Sequence, residues 1–231
     1  MAAHLVHAAG VGNYQRRPQT RVSVVGHSYV RRLMEFSRDF ASKEAFVDVH
    51  PAQPRPNLFD LDDCAIRWHH ISGGTVSSLS NNQAVWRNLR AFQPNILFLQ
   101  IGSNDLDGMG WGAQPMHVAY AVSELVDEYV RELPGLSKVF VGQLIQRLRT
   151  RTRHLSVSDY NARIHQTNGY VRNFCNPNGT VPVIFWRHKG LSRSTQHVHH
   201  HDGTHLNDLG HLKLYRSIRG AVRSCAVGAR G

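Results

Sequence analysis

The chain runs to 231 residues, 41% of them apolar, which is within reach of one α/β domain around one buried core. Lys and Arg outnumber Asp and Glu by 27 to 16, a formal charge of +11 at pH 7, so the surface suits an anionic partner without choosing among nucleic acid, acidic lipid and acidic substrate. Cys64, Cys175 and Cys225 are an odd number without metal-ligand spacing, no apolar run reaches membrane length, and the first residues lack the pattern of a signal peptide, so the reading is against a disulfide scaffold or a membrane span and for free thiols in a soluble, intracellular, cytoplasmic protein.

Residues 1–20 are rich in Ala, Gly and polar groups without a period and read as a tail, with order beginning near Arg21. From there short β-branched runs alternate with amphipathic stretches, the pattern of parallel strands joined by crossover helices. The first strand is expected over Val22–Gly26, followed by a helix over Tyr29–Arg38 with Val30, Leu33 and Met34 at helical spacing. A second strand, Ala65–Ile71, closes in Gly73-Gly74, and Phe46–Val49 reads as an additional short strand ahead of the Pro-rich loop Pro51–Pro56. The third, Ile96–Ile101, is almost wholly apolar, as a central strand covered on both faces should be, and Gly102 ends it. A helix over Val118–Leu133, stopped by Pro134-Gly135, leads to the fourth strand at Lys138–Leu144, and the fifth is Val181–Trp186. Further helices fit Ser158–Phe174, capped by Ser156 or Ser158, and Asn207–Val222, capped by Asn207.

In an open parallel sheet, ligands bind where the loops leaving the carboxyl ends of the strands converge, because helix N-termini point into that crevice. The first strand is followed by Gly26-His27-Ser28, the second by Ser72-Gly73-Gly74-Thr75, the third by Gly102-Ser103-Asn104-Asp105 and the fifth, further on, by Asp202-Gly203-Thr204-His205. Each supplies a group that acyl transfer needs. Ser28 opens a helix, where unpaired N–H groups favour a developing negative charge. His205 has the chemistry of its base, and Asp202, three residues earlier, can fix the tautomer of that ring. Gly73 leaves a backbone N–H accessible, and Asn104 adds a side-chain amide donor.

The ordered elements VVGHS, ISGGT, IGSND and DGTH resemble the sequence blocks of the SGNH (GDSL-type) serine hydrolases and esterases, a likeness that spans roughly Arg21 to Arg223. The resemblance implies an SGNH hydrolase-like domain over residues 21–225 with a flavodoxin-like, three-layer α/β/α sandwich around a five-stranded parallel sheet. It implies Ser28 as nucleophile, Asp202 and His205 as the rest of a triad, and Ser28, Gly73 and Asn104 as oxyanion-hole donors. Neither a metal nor an organic cofactor is implied, and the partner is a small ester substrate. The family pattern has Asp before the serine where this chain has His27, and Leu after it where this chain has Tyr29. Replacing an acceptor-only carboxylate by imidazole is expected to loosen the turn and lower activity without removing the nucleophile.

Three features lie outside those blocks. His197-Val198-His199-His200-His201 has imidazoles but no paired Cys or carboxylates at ligand spacing, and reads as a polar loop leading into the Asp202 motif. Arg147, Arg149, Arg151 and Arg153 alternate after the fourth strand, which places positive charge on the rim of the expected site and suits an anionic substrate. With Trp186, Arg187, His188 and Lys189 they also suit nucleic acid, through phosphates and stacking. Esterase-like domains similar to this one occur in the first open reading frame of some LINE-type retroelements, and that resemblance supplies the alternative: a catalytically weak SGNH-like module that binds nucleic acid or another anionic partner. Asn178-Gly179-Thr180 has the form of a glycosylation sequon, which matters only on a secretory route.

Overall fold

The computed structural model describes residues 20–40, 64–193 and 196–227. The strands are β1 (Thr20–Gly26), β2 (Cys64–His70), β3 (Ile96–Gln100), β4 (Lys138–Gly142) and β5 (Val183–Trp186), all parallel, in the spatial order β2-β1-β3-β4-β5. This is the flavodoxin-like order, with its switch point between β1 and β3. The helices are α1 (Ser28–Phe40), α2 (Val76–Ser80), α3 (Gln83–Phe92), α4 (Pro115–Glu132), α5 (Val157–Phe174) and α6 (Asp208–Val227).

Alternation along the strands divides the core into two layers. Val22 and Val24 of β1 pack with Phe98 and Phe140 against Tyr29, Val30, Leu33 and Phe36 of α1 and Leu214, Ile218 and Val222 of α6. On the opposite face, Val25, Leu97, Leu99, Val139 and Val141 pack against Trp86 and Leu89 of α3, Val122, Leu125 and Tyr129 of α4 and Val171 of α5. The expected three-layer α/β/α sandwich with a five-stranded parallel sheet is therefore the observed one.

The elements differ from the sequence reading mainly at their ends. The described residues begin at Thr20, which pairs with Cys64; the rest of the expected tail, the strand at Phe46–Val49 and the loop Pro51–Pro56 lie outside the described residues. β5 starts at Val183 and not Val181, because Pro182 has no N–H to offer the ladder and gives only its carbonyl to Val139 N–H (3.0 Å). β4 stops at Gly142 and not Leu144. There the Asn168 side chain replaces a neighbouring strand, its Oδ1 accepting from Leu144 N–H (2.8 Å) and its Nδ2 donating to the Leu144 carbonyl (3.0 Å). Ser156 is the cap of α5, accepting from Asp159 N–H, and Asn207 caps α6 through Gly210 N–H at 2.9 Å.

Two helices, α2 and α3, are absent from the sequence reading. With five residues, α2 is too short to show a period; its start is fixed by Thr75 and Ser78, which cap each other's backbone. α3 does carry a signal, since Val85, Trp86 and Leu89 are buried at helical spacing behind the Asn82 cap.

Candidate active site

Register brings three of the four blocks side by side. Gly26 is opposite His70 on one side and Gln100 on the other, so the chain leaves β1, β2 and β3 at one level. A Cβ on Gly26 would overlap the Gln100 carbonyl oxygen and press on the Val30 side chain, so only glycine lets β1 run this close to β3 before the turn. His27 makes the bend, its carbonyl accepting from Val30 N–H (3.0 Å) and Arg31 N–H (3.3 Å), and Ser28 is the first residue of α1. The Ser28 N–H thus belongs to the unpaired first turn, the positive end, of a 13-residue helix.

The fourth block comes from the loop before α6. His205 Nε2 lies 3.2 Å from Ser28 Oγ, and His205 Nδ1 lies 2.8 Å from Asp202 Oδ2. Ser28, His205 and Asp202 therefore form one hydrogen-bonded row across a sequence separation of 177 residues. Several bonds hold the loop in register: Gly203 O accepts from Leu148 N–H (2.7 Å) and Arg149 N–H (3.1 Å), His205 O from His200 N–H (2.8 Å), and Thr204 O from the Tyr29 hydroxyl (2.7 Å).

Electrostatics assign the protons along this row. Partial burial raises the affinity of Asp202 for a proton, yet the His205 and Thr204 N–H groups, both 2.9 Å from Oδ1, and the His205 ring hold its carboxyl well below the usual range. It remains charged and accepts from the ring. Burial pushes the His205 pKa below its ordinary value; the Asp202 bond works the other way, and the Arg32 charge adds to the lowering. With Nδ1–H committed to Asp202, the Nε2 lone pair of neutral His205 faces the Ser28 hydroxyl.

The remaining expected residues lie in the loops after β2 and β3. Gly73, with φ +70°, is at the exposed tip of the turn after β2, a conformation that favours glycine, and Gly74 N–H closes that turn on Ile71 O at 2.9 Å. Asn104 Nδ2 donates to the Gly74 carbonyl at 2.9 Å, joining the β2 and β3 loops. Asp105, whose pKa burial raises to about 6 against the pull of the Val76 N–H bond, caps α2 through Val76 N–H at 3.0 Å.

His27 occupies the place of the family carboxylate. It is buried, its Nδ1 lies 3.4 Å from Tyr29 N–H, and its Nε2 lies 2.9 Å from Ser103 Oγ. An acceptor at Nδ1 puts the proton on Nε2. Burial, reinforced by the charge of Arg147, lowers the His27 pKa to about 3, so the ring is neutral and supplies the turn with a lone pair without a charge.

The family model for GDSL-like lipases and acylhydrolases matches residues 29–218. The chain belongs to this family. Among solved structures, it is similar to a GDSL-like lipase from Bacteroides thetaiotaomicron, at 14% identity over 89% of each chain with a TM-score of 0.61. A family 3 carbohydrate esterase from Clostridium thermocellum shares 18% identity over 92% of this chain and 100% of its own, with a TM-score of 0.60. An acetyl esterase mutant with acetate ion shares 15% over 91% and 100%, also with a TM-score of 0.60. At these identities the likeness is one of fold. No curated protein matches the chain in sequence.

Two parts of the sequence reading change within this GDSL-like framework. Arg147 is not on the rim: it is 1% exposed and paired with Asp107, and only Arg149, Arg151 and Arg153 of that run face solvent. Spacing gave no hint of this, since all four arginines stand at equal intervals. The run Trp186 to Lys189 also does not form a stacking surface. Trp186 is half-buried with its indole N–H on Ser217 O (3.0 Å), and His188 is buried with its ring nitrogens 2.9 Å from Ser217 Oγ and Gln100 Oε1. Arg187 and Lys189 remain exposed. In the histidine-rich loop, His199 is buried with Nε2 on Gln146 O (2.9 Å), and His200 Nδ1 lies 3.2 Å from Asp202 Oδ2. Among the described residues, no helix is long and apolar enough to cross a membrane.

Proposed function

We propose that this GDSL-family hydrolase cleaves carboxylic esters through an acyl-enzyme formed on Ser28. The reading is carried by the row Ser28, His205, Asp202, with contacts of 3.2 and 2.8 Å. Ser28 Oγ attacks the acyl carbon while His205 Nε2 takes its proton, and the resulting imidazolium is stabilised by the Asp202 carboxylate. The oxygen that gains charge is received by the N–H groups of Ser28 and Gly73 and by the free N–H of the Asn104 amide. Collapse of the tetrahedral adduct breaks the ester C–O bond, and His205 gives its proton to the departing alcohol. Water, deprotonated by the same ring, then releases the carboxylic acid and restores Ser28. Exposed Arg149, Arg151 and Arg153 follow the β4 loop that supports the His205 segment, and they favour ester substrates that carry negative charge.

The test has two arms. A fluorophosphonate probe should label Ser28 and no other residue, and a screen of acetyl and longer acyl esters should show turnover that Ser28→Ala removes. Labelling elsewhere, or an unchanged rate in the variant, would reject the reading. The same exposed arginines and the net charge of +11 also support a second role, in binding single-stranded nucleic acid. That role requires affinity that falls as salt rises; binding that is absent or indifferent to salt excludes it.

A further inference from the structure

We infer that Arg147 is a positioning residue for the oxyanion hole: its buried guanidinium grips the side-chain oxygen of Asn104 and thereby aims the Asn104 N–H at the reacting acyl oxygen. This deepens the esterase reading and rests on it.

An asparagine amide has two ends of nearly equal shape and opposite polarity, so an oxyanion hole that uses one must suppress the flipped form. Here both ends are specified. Oδ1 accepts from Arg147 Nη2 at 2.9 Å, and Nδ2 donates one hydrogen to the Gly74 carbonyl at 2.9 Å, leaving its second hydrogen for the site. Rotating the amide by half a turn would set its NH₂ against a guanidinium, which has no acceptor, and its oxygen against a carbonyl, which has no donor. Two bonds would become two repulsions. Arg147 is in turn held by several further contacts.

Arg147 Nη1 donates to Asp107 Oδ2 at 2.6 Å, Nη2 also reaches Ser103 Oγ at 3.2 Å, and the guanidinium carbon lies 4.8 Å from the centre of the Tyr160 ring. Its backbone is clamped by Asn161, whose Oδ1 accepts from Arg147 N–H and whose Nδ2 donates to Arg147 O, each at 2.9 Å. Stability alone does not account for this arrangement. A buried ion pair is often no better than well-packed apolar side chains, and Arg147 Nε is buried with no partner among the described residues. What the pair does supply is a rigid, planar fork with several donors. Lysine, a point charge, cannot bond Asp107 and Asn104 in that planar geometry.

The experiment measures kcat and KM for p-nitrophenyl acetate, with thermal melting by circular dichroism, in Arg147→Lys, Arg147→Met, Asn104→Ala and the double variants that combine them. Because Arg147→Met leaves Asp107 buried and unpaired, it is also made together with Asp107→Asn. The expected result is a loss of about 10- to 100-fold in kcat for Arg147→Lys and Arg147→Met with KM little changed, the scale of a misplaced oxyanion donor. In the Asn104→Ala background the same substitutions should cost about threefold or less, because the group they act through is gone. A folded Arg147→Met or Arg147→Lys within about twofold of wild-type kcat overturns the inference, and so does an equal loss in both backgrounds, which is the mark of a general structural role. A wild-type protein that neither turns over the ester nor is labelled at Ser28 overturns the esterase reading itself, and this inference with it.

Discussion

His205 and His27 both approach Ser28 Oγ, at 3.2 and 3.4 Å, yet their surroundings differ in every other respect. His205 is half-exposed, hangs on a loop tied down by main-chain bonds, and points its second nitrogen at a carboxylate. His27 is bonded to a serine hydroxyl and buried in the turn, and that burial, with the field of Arg147 added, lowers its pKa to about 3. Under the proposed mechanism the same ring is thus a base in one setting and a fixed dipole in the other. Distance to the nucleophile does not separate them; the partner of the far nitrogen does.

Removing the working imidazole should cost most. His205→Ala is expected to lower kcat by about 10⁴-fold or more, as is Ser28→Ala, measured on any ester the wild type accepts. Asp202→Asn, which disturbs the tautomer while keeping the shape, should lose about 10⁴-fold in kcat. His27→Asn, which keeps an acceptor where Nδ1 stands, should stay within about tenfold of wild type. If it falls as far as His205→Ala, the contrast between the two rings collapses. The pH profile sharpens the same contrast. Activity needs neutral His205, whose pKa lies below the ordinary histidine value, so the acid limb of kcat/KM should sit below about pH 6.5, and a limb above that value would contradict the assignment. The smallest effect at neutral pH concerns stability. His27 and His188 are held near pKa 3 and His69 and His211 near 4, all chiefly by burial. The unfolded chain takes up these protons first, so the stability they contribute is complete above about pH 6.5, declines as the pH drops below that value, and is gone once the pH has fallen through 4 toward 3. A fall in Tm on the order of 10 °C or more between pH 7 and pH 4.5 is expected, and a flat Tm would show that these rings open to water without cost.

Those predictions draw on residues of two kinds, and the sequence exposes only one kind. Ser28, Gly73, Asn104, Asp202 and His205 each stand in a short block after a strand, where chain order and local polarity identify them. Ile96–Gln100 was legible for the same reason, since an unbroken apolar run has few uses other than a covered strand. Arg147, Ser103, Asp107 and Tyr160 were not, because what defines them is contact across 40 or more residues of chain for the Arg147 bonds to Asp107 and Asn104. No periodicity encodes that an arginine will turn inward while its neighbours at 149, 151 and 153 face water. The role of His27 was half legible. The departure from the family carboxylate is visible in the letters, but its neutral state and its Nε2 proton depend on burial and on Ser103.

The glycine ahead of the His27 turn has a bearing on ancestry. Whatever residue follows it, a side chain at Gly26 would strike the main chain of the adjoining strand, so the glycine is a demand of assembly. A descendant that had abandoned its chemistry would have to inherit that glycine as faithfully as an active one. Under the proposed mechanism, positions 28, 202 and 205 are therefore the ones that would separate a living enzyme from a fossil copy of this fold.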